Sequence, residues 1–336
     1  MTTGTASPSS PTQPGALERL ILDTLCEPVL RRIPARVHPN HISIATHLIV
    51  WLTAVCAGLS RELAHPYRSL ALFAAGLGML LQMVGDCLDG MHARRTGQCS
   101  KMGEMMDHWL DASAVPLSTV GITLALDLSP LQLVLVNSTA IMVYHAQLLL
   151  YHHTGRFVHP DATSGVEGQF GVVIAYLALG SLLLAIPPQT TWLAPVVTLA
   201  ALLATAVQLR CCWFYYRQLT GRLQAHVHFV SLLGASSVLF LMDWLSLGGF
   251  VALLVGISFR ICGSYVLHTV VKKTYAGHDW GIVLFLLASA CTATFYGEPN
   301  KLQAALPYAA AGYMFVRNLL DFVRDYAALR PGTTHE

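Results

Sequence analysis

Four aspartates, Asp86, Asp89, Asp107 and Asp111, stand close together in a 336-residue chain that is 54% hydrophobic and only 11% charged. The first two are spaced i, i+3 and the last two i, i+4, so on helices each pair shares one face. The segment from Gly90 to Met106 can turn the chain and let both pairs converge. Carboxylates gathered in a low dielectric repel one another and lose hydration, and divalent cations relieve both costs. Carboxylate oxygens are preferred ligands of Mg2+, Mn2+ and Ca2+, and four of them suit two ions with bridging aspartates. Two-metal sites commonly serve phosphoryl chemistry. Gly90 and Gly103 lack a Cβ and admit a ligand close to the backbone, Ala93 leaves room beside them, and Arg94 offers a fork of donors for phosphate. A reaction of this kind needs a general base. Asp111 is one candidate. His108 is another, with Glu167 to orient it if the 153–169 loop folds back over the site.

The elements that position these residues belong to a membrane. A soluble chain carries about 25% charged residues, more than twice the content here. The expected fold class is all-α: a polytopic membrane protein of about ten transmembrane helices with an N-terminal interfacial helix. Apolar runs lie near 42–60, 68–85, 105–126, 131–152, 170–187, 192–212, 226–242, 248–270, 280–296 and 303–323. Only Gly248-Gly249 divides the seventh from the eighth. Ahead of them, residues 1–15 are rich in Ser, Thr, Pro and Gly and are predicted to be a disordered tail. Residues 16–37 are predicted to form an amphipathic interfacial helix bent near Pro28. Residues 38–326 then form the membrane domain and 327–336 a C-terminal tail. No early apolar stretch with a basic flank marks a cleaved signal peptide.

With the N-terminus inside, Arg31, Arg32, Arg94, Arg95, Lys272 and Lys273 all fall on the cytoplasmic side, and only Arg61, Arg68 and Lys301 fall outside. The aspartates then face the cytoplasm. A net charge of +2 offers no argument for nucleic acid as a partner. The eight cysteines fall in no metal-binding spacing and read as small apolar residues. Asn137-Ser138-Thr139 reads as a chance sequon inside an apolar run. Arg260, in mid-helix, is expected to face the bundle interior as an ion pair or a phosphate contact.

From Asp86 to Asp111 the stretch DCLDGMHARRTGQCSKMGEMMDHWLD resembles the CDP-alcohol phosphotransferase signature, D-x2-D-G-x2-A-R-x8-G-x3-D-x3-D, at every fixed position. The resemblance implies two Mg2+ or Mn2+ ions on Asp86, Asp89, Asp107 and Asp111. It implies a CDP moiety held by Gly90, Ala93, Arg94 and Gly103, with Asn40 reaching in from the first membrane helix, and it implies release of CMP. Arg95, Thr96, Glu104 and His108, together with HPNHIS at 38–43 and SGVEG at 164–168, resemble the choline/ethanolamine branch. Met91-His92, Lys101-Met102 and Trp109-Leu110 depart from that branch. The implied reaction transfers phosphocholine or phosphoethanolamine from CDP-choline or CDP-ethanolamine to a lipid alcohol, diacylglycerol by default. A CDP-diacylglycerol-dependent transfer, ceramide as acceptor and, in a different class, a cation transporter are the competing expectations. Trp109, Tyr144 and Tyr151 are candidate faces for a choline cation. Membrane lipids are expected partners, and the resemblance admits a homodimer. The Ala- and Leu-rich composition favours a bacterial inner membrane, with the endoplasmic reticulum as the compartment of a eukaryotic chain.

Overall fold

A computed structural model describes residues 16–155, 157–158, 160, 165–185, 193–219, 223–274, 279–296 and 301–329. The predicted tail at 1–15 lies outside them. Short helices α1 (Ala16–Ile21) and α2 (Glu27–Leu30), joined by a π segment at Leu22–Cys26, come first. Ten longer helices follow: α3 (Pro39–Leu59), α4 (Tyr67–Thr96), α5 (Lys101–Ala125), α6 (Pro130–Thr154), α7 (Gly165–Ala185), α8 (Leu193–Tyr216), α9 (Leu223–Leu241), α10 (Leu247–Val270), α11 (Trp280–Tyr296) and α12 (Lys301–Ala328). No strand occurs among the described residues. Each apolar run therefore carries a helix.

Six of the helices, α3, α4, α6, α7, α8 and α10, are long and apolar enough to cross a bilayer, which makes this a multi-pass membrane protein. The apolar parts of α9 and α11 are shorter, α5 carries Lys101, Glu104, Asp107 and Asp111 in its first half, and α12 carries Arg317, Asp321, Arg324 and Asp325 in its second. The boundary between α9 and α10 is not the glycine pair. Asp243 turns the chain at φ 59°, and Ser246 caps α10 by accepting from the Gly249 N–H at 3.1 Å. A serine oxygen satisfies an open helix-end N–H, so the helix starts there and the glycines fall inside its first turn.

The bundle is built around α10, the most buried of the six spans. It packs against α5, α6, α9 and α12, with Phe250, Leu254, Ile257, Ile261 and Tyr265 fully enclosed. The sequon residues act as interhelical connectors in the buried bundle. Asn137 Nδ2 donates to Thr123 Oγ1 of α5 at 2.9 Å, Ser138 meets Ser237 of α9 at 3.3 Å, and Thr139 donates to Gln208 of α8. Polar side chains in apolar surroundings find partners across helices, and one tripeptide here reaches three of them.

A second group, α3, α4, α5 and α7, holds the aspartates. α3 and α4 approach closely along Gly78 and Gly85, seven residues apart on one face of α4. A Cβ on Gly85 would collide with the Thr46 methyl, and one on Gly78 with the Thr53 hydroxyl. Gly85→Ala should therefore cost about 1–3 kcal/mol through overpacking, seen as a lower inactivation temperature in detergent. Thr46→Ser, which removes the methyl and keeps the hydroxyl, should restore most of that loss.

Candidate active site

The turn between α4 and α5 brings the two aspartate pairs together. Gly97, at φ 69°, ends α4 in the left-handed region that glycine adopts without strain, and the Gln98 N–H returns to the Ala93 carbonyl at 2.9 Å. Ser100 starts α5 by accepting from the Gly103 N–H at 3.0 Å. Between Gly97 and Ser100 the chain has reversed. Asp86 and Asp89 on α4 then face Asp107 on α5, with one oxygen of each lying within 4.8 Å of the others. Asp111, one turn farther along α5, is engaged differently: its Oδ1 lies 3.2 Å from His47 Nε2 on α3.

A cavity of about 430 Å³ opens over this end of the bundle. Asn40, Ser43, Asp89, Gly90, Ala93, Arg94, Gly103, Glu104, Asp107 and His108 are in its wall. It thus gathers all five residues expected at a nucleotide, from three helices. The Arg94 guanidinium lies over Gly90, where a Cβ would stand 3.3 Å from one of its nitrogens. A Cβ on Gly103 would stand 3.4 Å from Asn40 Oδ1 and from Ser100 Oγ. Asn40 is held at the second position of α3, behind Pro39, by its N–H donating to His38 Nδ1 at 3.2 Å.

The adjacent Arg95 does something else. It donates to the Leu30 carbonyl and, at 2.6 Å, to that of Ile33, while His92 Nε2 meets the Val37 carbonyl at 2.8 Å. The end of α4 thereby grips the segment linking α2 to α3, and fixes where α3 begins. Ile21, Cys26 and Leu30 pack on Met83 and Leu88 of α4, with Val166 and Phe170 of α7 against the same cluster.

The donor set fits a divalent cation. Its ligand atoms are carboxylate oxygens, and Asp107 Oδ1 is buried with no hydrogen-bond partner. A buried carboxylate oxygen left without a donor is costly unless a cation meets it. A neighbouring oxygen of the cluster does have a donor: Ser43 Oγ donates to Asp89 Oδ2 at 2.6 Å, while the Gln169 side chain lies near Asp86. Glu167 lies two residues from Gln169 on the same end of α7.

His108 Nδ1 stands 4.0 Å from Asp107 Oδ2, and its ring packs on Phe157 with centroids 4.4 Å apart. Phe157 also stacks on Tyr151 at 4.1 Å, and the Tyr151 hydroxyl donates to Glu104 Oε1 at 2.8 Å. Residues 156, 159 and 161–164, between His108's aromatic neighbours and Glu167, lie outside the described residues. Of the aromatic candidates, Trp109 points into the bundle, stacked on Phe322 of α12 at 4.2 Å, and Tyr144 donates to the His108 carbonyl at 3.2 Å. Only Tyr151 joins the Glu104 side. Arg260 is an ion-pair residue: its Nε donates to Asp279 at 2.7 Å and its Nη1 to Asp321 at 2.8 Å.

Sequence reasoning missed Ser43 and His47. With Asn40 they form a polar stripe at i, i+3, i+7 on an apolar helix, a spacing that marks one face turned to the interior.

Among the described residues, then, this is an all-helical membrane protein with carboxylates clustered under a polar cavity at one end of the bundle. A family model described as CDP-alcohol phosphatidyltransferase matches residues 36–209, just over half of the chain, and covers α3 to α7 and most of α8. The chain belongs to that family. It is 29% identical over 121 residues to cholinephosphotransferase 1 of Saccharomyces cerevisiae, covering 36% of this chain and 30% of the relative. It is 30% identical over 172 residues to CDP-diacylglycerol–serine O-phosphatidyltransferase of Encephalitozoon cuniculi, covering 48% and 42%. To cholinephosphotransferase 1 of Rattus norvegicus it is 29% identical over 158 residues, covering 44% and 38%. The chain thus spans between 30% and 42% of the length of these relatives.

Proposed function

We propose that this protein transfers phosphocholine or phosphoethanolamine from a CDP-aminoalcohol to a lipid hydroxyl, with diacylglycerol as the default acceptor. The single observation that carries this reading is Glu104, in the cavity wall and hydrogen-bonded to Tyr151, whose ring stacks on Phe157 with His108 tilted against it. A carboxylate beside aromatic faces suits an organic ammonium such as that of choline or ethanolamine. Asn40, Gly90, Ala93, Arg94 and Gly103 hold the CDP moiety. Asp86, Asp89 and Asp107 would hold two divalent ions, Mg2+ or Mn2+, with Asp111, one turn away, as a further ligand or as the base. Bound there, such ions neutralise charge developing on the phosphoryl oxygens.

The acceptor oxygen forms a bond to the phosphorus that carries the aminoalcohol. The bond from that phosphorus to the bridging oxygen breaks, and CMP leaves with the electron pair. Asp111 or His108 takes the hydroxyl proton, with Glu167 as the residue of the α7 end that orients His108. Arg94 supplies donors to the CMP phosphate. We propose the site at the cytoplasmic face of about ten crossing helices, in a bacterial inner membrane, with the membrane domain over 38–326, an arrangement that admits a homodimer.

The E. cuniculi relative is named for the other donor class, so the test is a donor panel. Purified protein in lipid-detergent micelles is given CDP-choline, CDP-ethanolamine or CDP-diacylglycerol separately, each with its matching acceptor. Product from an aminoalcohol donor is expected, and product from CDP-diacylglycerol alone would overturn the reading. Glu104→Gln should raise KM for CDP-choline by about fivefold to tenfold, the equivalent of roughly 1 kcal/mol of cation attraction, and leave kcat near that of the wild type.

A further inference from the structure

Ser43 and His47 are buried polar residues of α3, 4% and 3% exposed, and both reach across to the aspartates. Ser43 touches Asp89, a member of the close carboxylate group. His47 touches Asp111, which lies outside that group. The His47 ring is fixed at both nitrogens. Nδ1 lies 2.7 Å from the Ser43 carbonyl, which can only accept, so Nδ1 carries a hydrogen. Nε2 is then aimed from α3 to Asp111 Oδ1 on α5, and this contact closes with one proton between the two atoms, whichever of them holds it. His47 itself is absent from the cavity wall.

We infer that His47 is a positioning residue for Asp111. It pins one carboxylate oxygen and leaves the other, on a side chain 25% exposed, for the proton of the lipid hydroxyl, so that Asp111 acts as the base. This rests on the transfer proposed above. A side chain already held in its reactive geometry has no rotational freedom left to lose in the transition state. The two α3 residues thus divide the aspartates: Ser43 orients one of the close group, and His47 orients the one set apart. Loss of His47 should act on turnover, with little effect on donor or metal binding.

The test compares His47→Leu, which removes the contact, with His47→Gln, whose amide N–H can reach the position of Nε2. It uses full-length protein and whichever CDP-linked donor the wild type turns over. In His47→Leu, kcat should fall by about ten- to a hundredfold, with KM for the donor within about threefold of the wild type. Mn2+ affinity, read by electron paramagnetic resonance, should stay within about threefold, since His47 does not touch the close group. His47→Gln should recover at least about fivefold of the lost kcat. If His47→Leu elutes as aggregate, His47→Asn replaces it, because that amide is too short to reach Asp111.

Three results would overturn the inference. The first is wild-type kcat in the variant that lacks the contact. The second is a loss of Mn2+ affinity of about tenfold or more, which would make His47 part of the metal site. The third is a folded His47→Gln no better than His47→Leu. A wild type active only with CDP-diacylglycerol refutes the aminoalcohol reading and leaves the His47 comparison intact. A wild type inactive with every donor refutes both.

Discussion

Asp107→Asn should yield a protein that folds at least as well as the wild type and has lost its turnover. Asp107 Oδ1 is buried without a hydrogen-bond partner, within 4.8 Å of oxygens of Asp86 and Asp89. In the absence of a cation these carboxylates repel one another. An asparagine removes one charge from the cluster, and its amide N–H groups can donate to the aspartates that remain. Stability should hold or rise. On the function proposed above, the same change removes a charged oxygen from the metal site. Metal stabilisation of a phosphoryl transition state is worth several kcal/mol, so CMP formation should fall by about a hundredfold or more. Thermal inactivation in detergent, Mn2+ binding and CMP release measured on one preparation would check all three parts. A variant both unstable and inactive would mean that Asp107 is a structural residue.

Arg260→Ala is expected to have the largest effect on stability. Arg260 is 5% exposed in the middle of α10, and its two pairs reach Asp279, ahead of α11, and Asp321 of α12. Around them Arg324 reaches Asp321 and Asp325, at 3.2 and 3.3 Å, and Lys273 reaches Asp325 at 2.9 Å. Truncating the arginine strips Asp279 of its only ion-pair cation recorded among the described residues and leaves Asp321 with Arg324 alone. Breaking one partner of a buried pair costs about 3–5 kcal/mol, because an uncompensated charge stays behind. The inactivation temperature should drop sharply. Removing the charges together, as Arg260→Met with Asp279→Asn and Asp321→Asn, should restore most of the loss. If the triple variant is as unstable as Arg260→Ala, packing around α10 and not charge is the cause.

The aspartate motif was legible because its geometry is local. Helical spacing sets i, i+3 and i, i+4 neighbours on one face, and Gly97 and Ser100 close the turn between the pairs with their own backbone and side chain. The ten apolar runs were legible for the same reason. What escaped depends on which helix comes to lie beside which. Ser43 and Asp89 are 46 positions apart, and His47 and Asp111 are 64 apart, so neither contact leaves a local trace. The polar stripe of α3 was visible, but its partners were not. Arg260 is similar. Its inward orientation follows from the cost of a charge facing lipid, while Asp279 and Asp321 become its partners only once α11 and α12 pack. Asn137-Ser138-Thr139 was discounted as a sequon, and its three bonds to three helices needed the packed bundle to be seen. The runs at 226–242 and 248–270 meet α9 and α10 closely, but the Asp243 turn and the Ser246 cap, not the two glycines, make the break between them.

If carboxylates at this end of the bundle act on a CDP-linked alcohol through divalent cations, CMP release must depend on those cations. The most direct measurement is CMP release by the purified protein, given CDP-choline or CDP-ethanolamine with diacylglycerol, in EDTA and after Mg2+ is restored. CMP and phospholipid should form in equal amounts with Mg2+, and neither in EDTA. CMP released at the same rate in EDTA, or no CMP from either donor when Mg2+ is present, would contradict it.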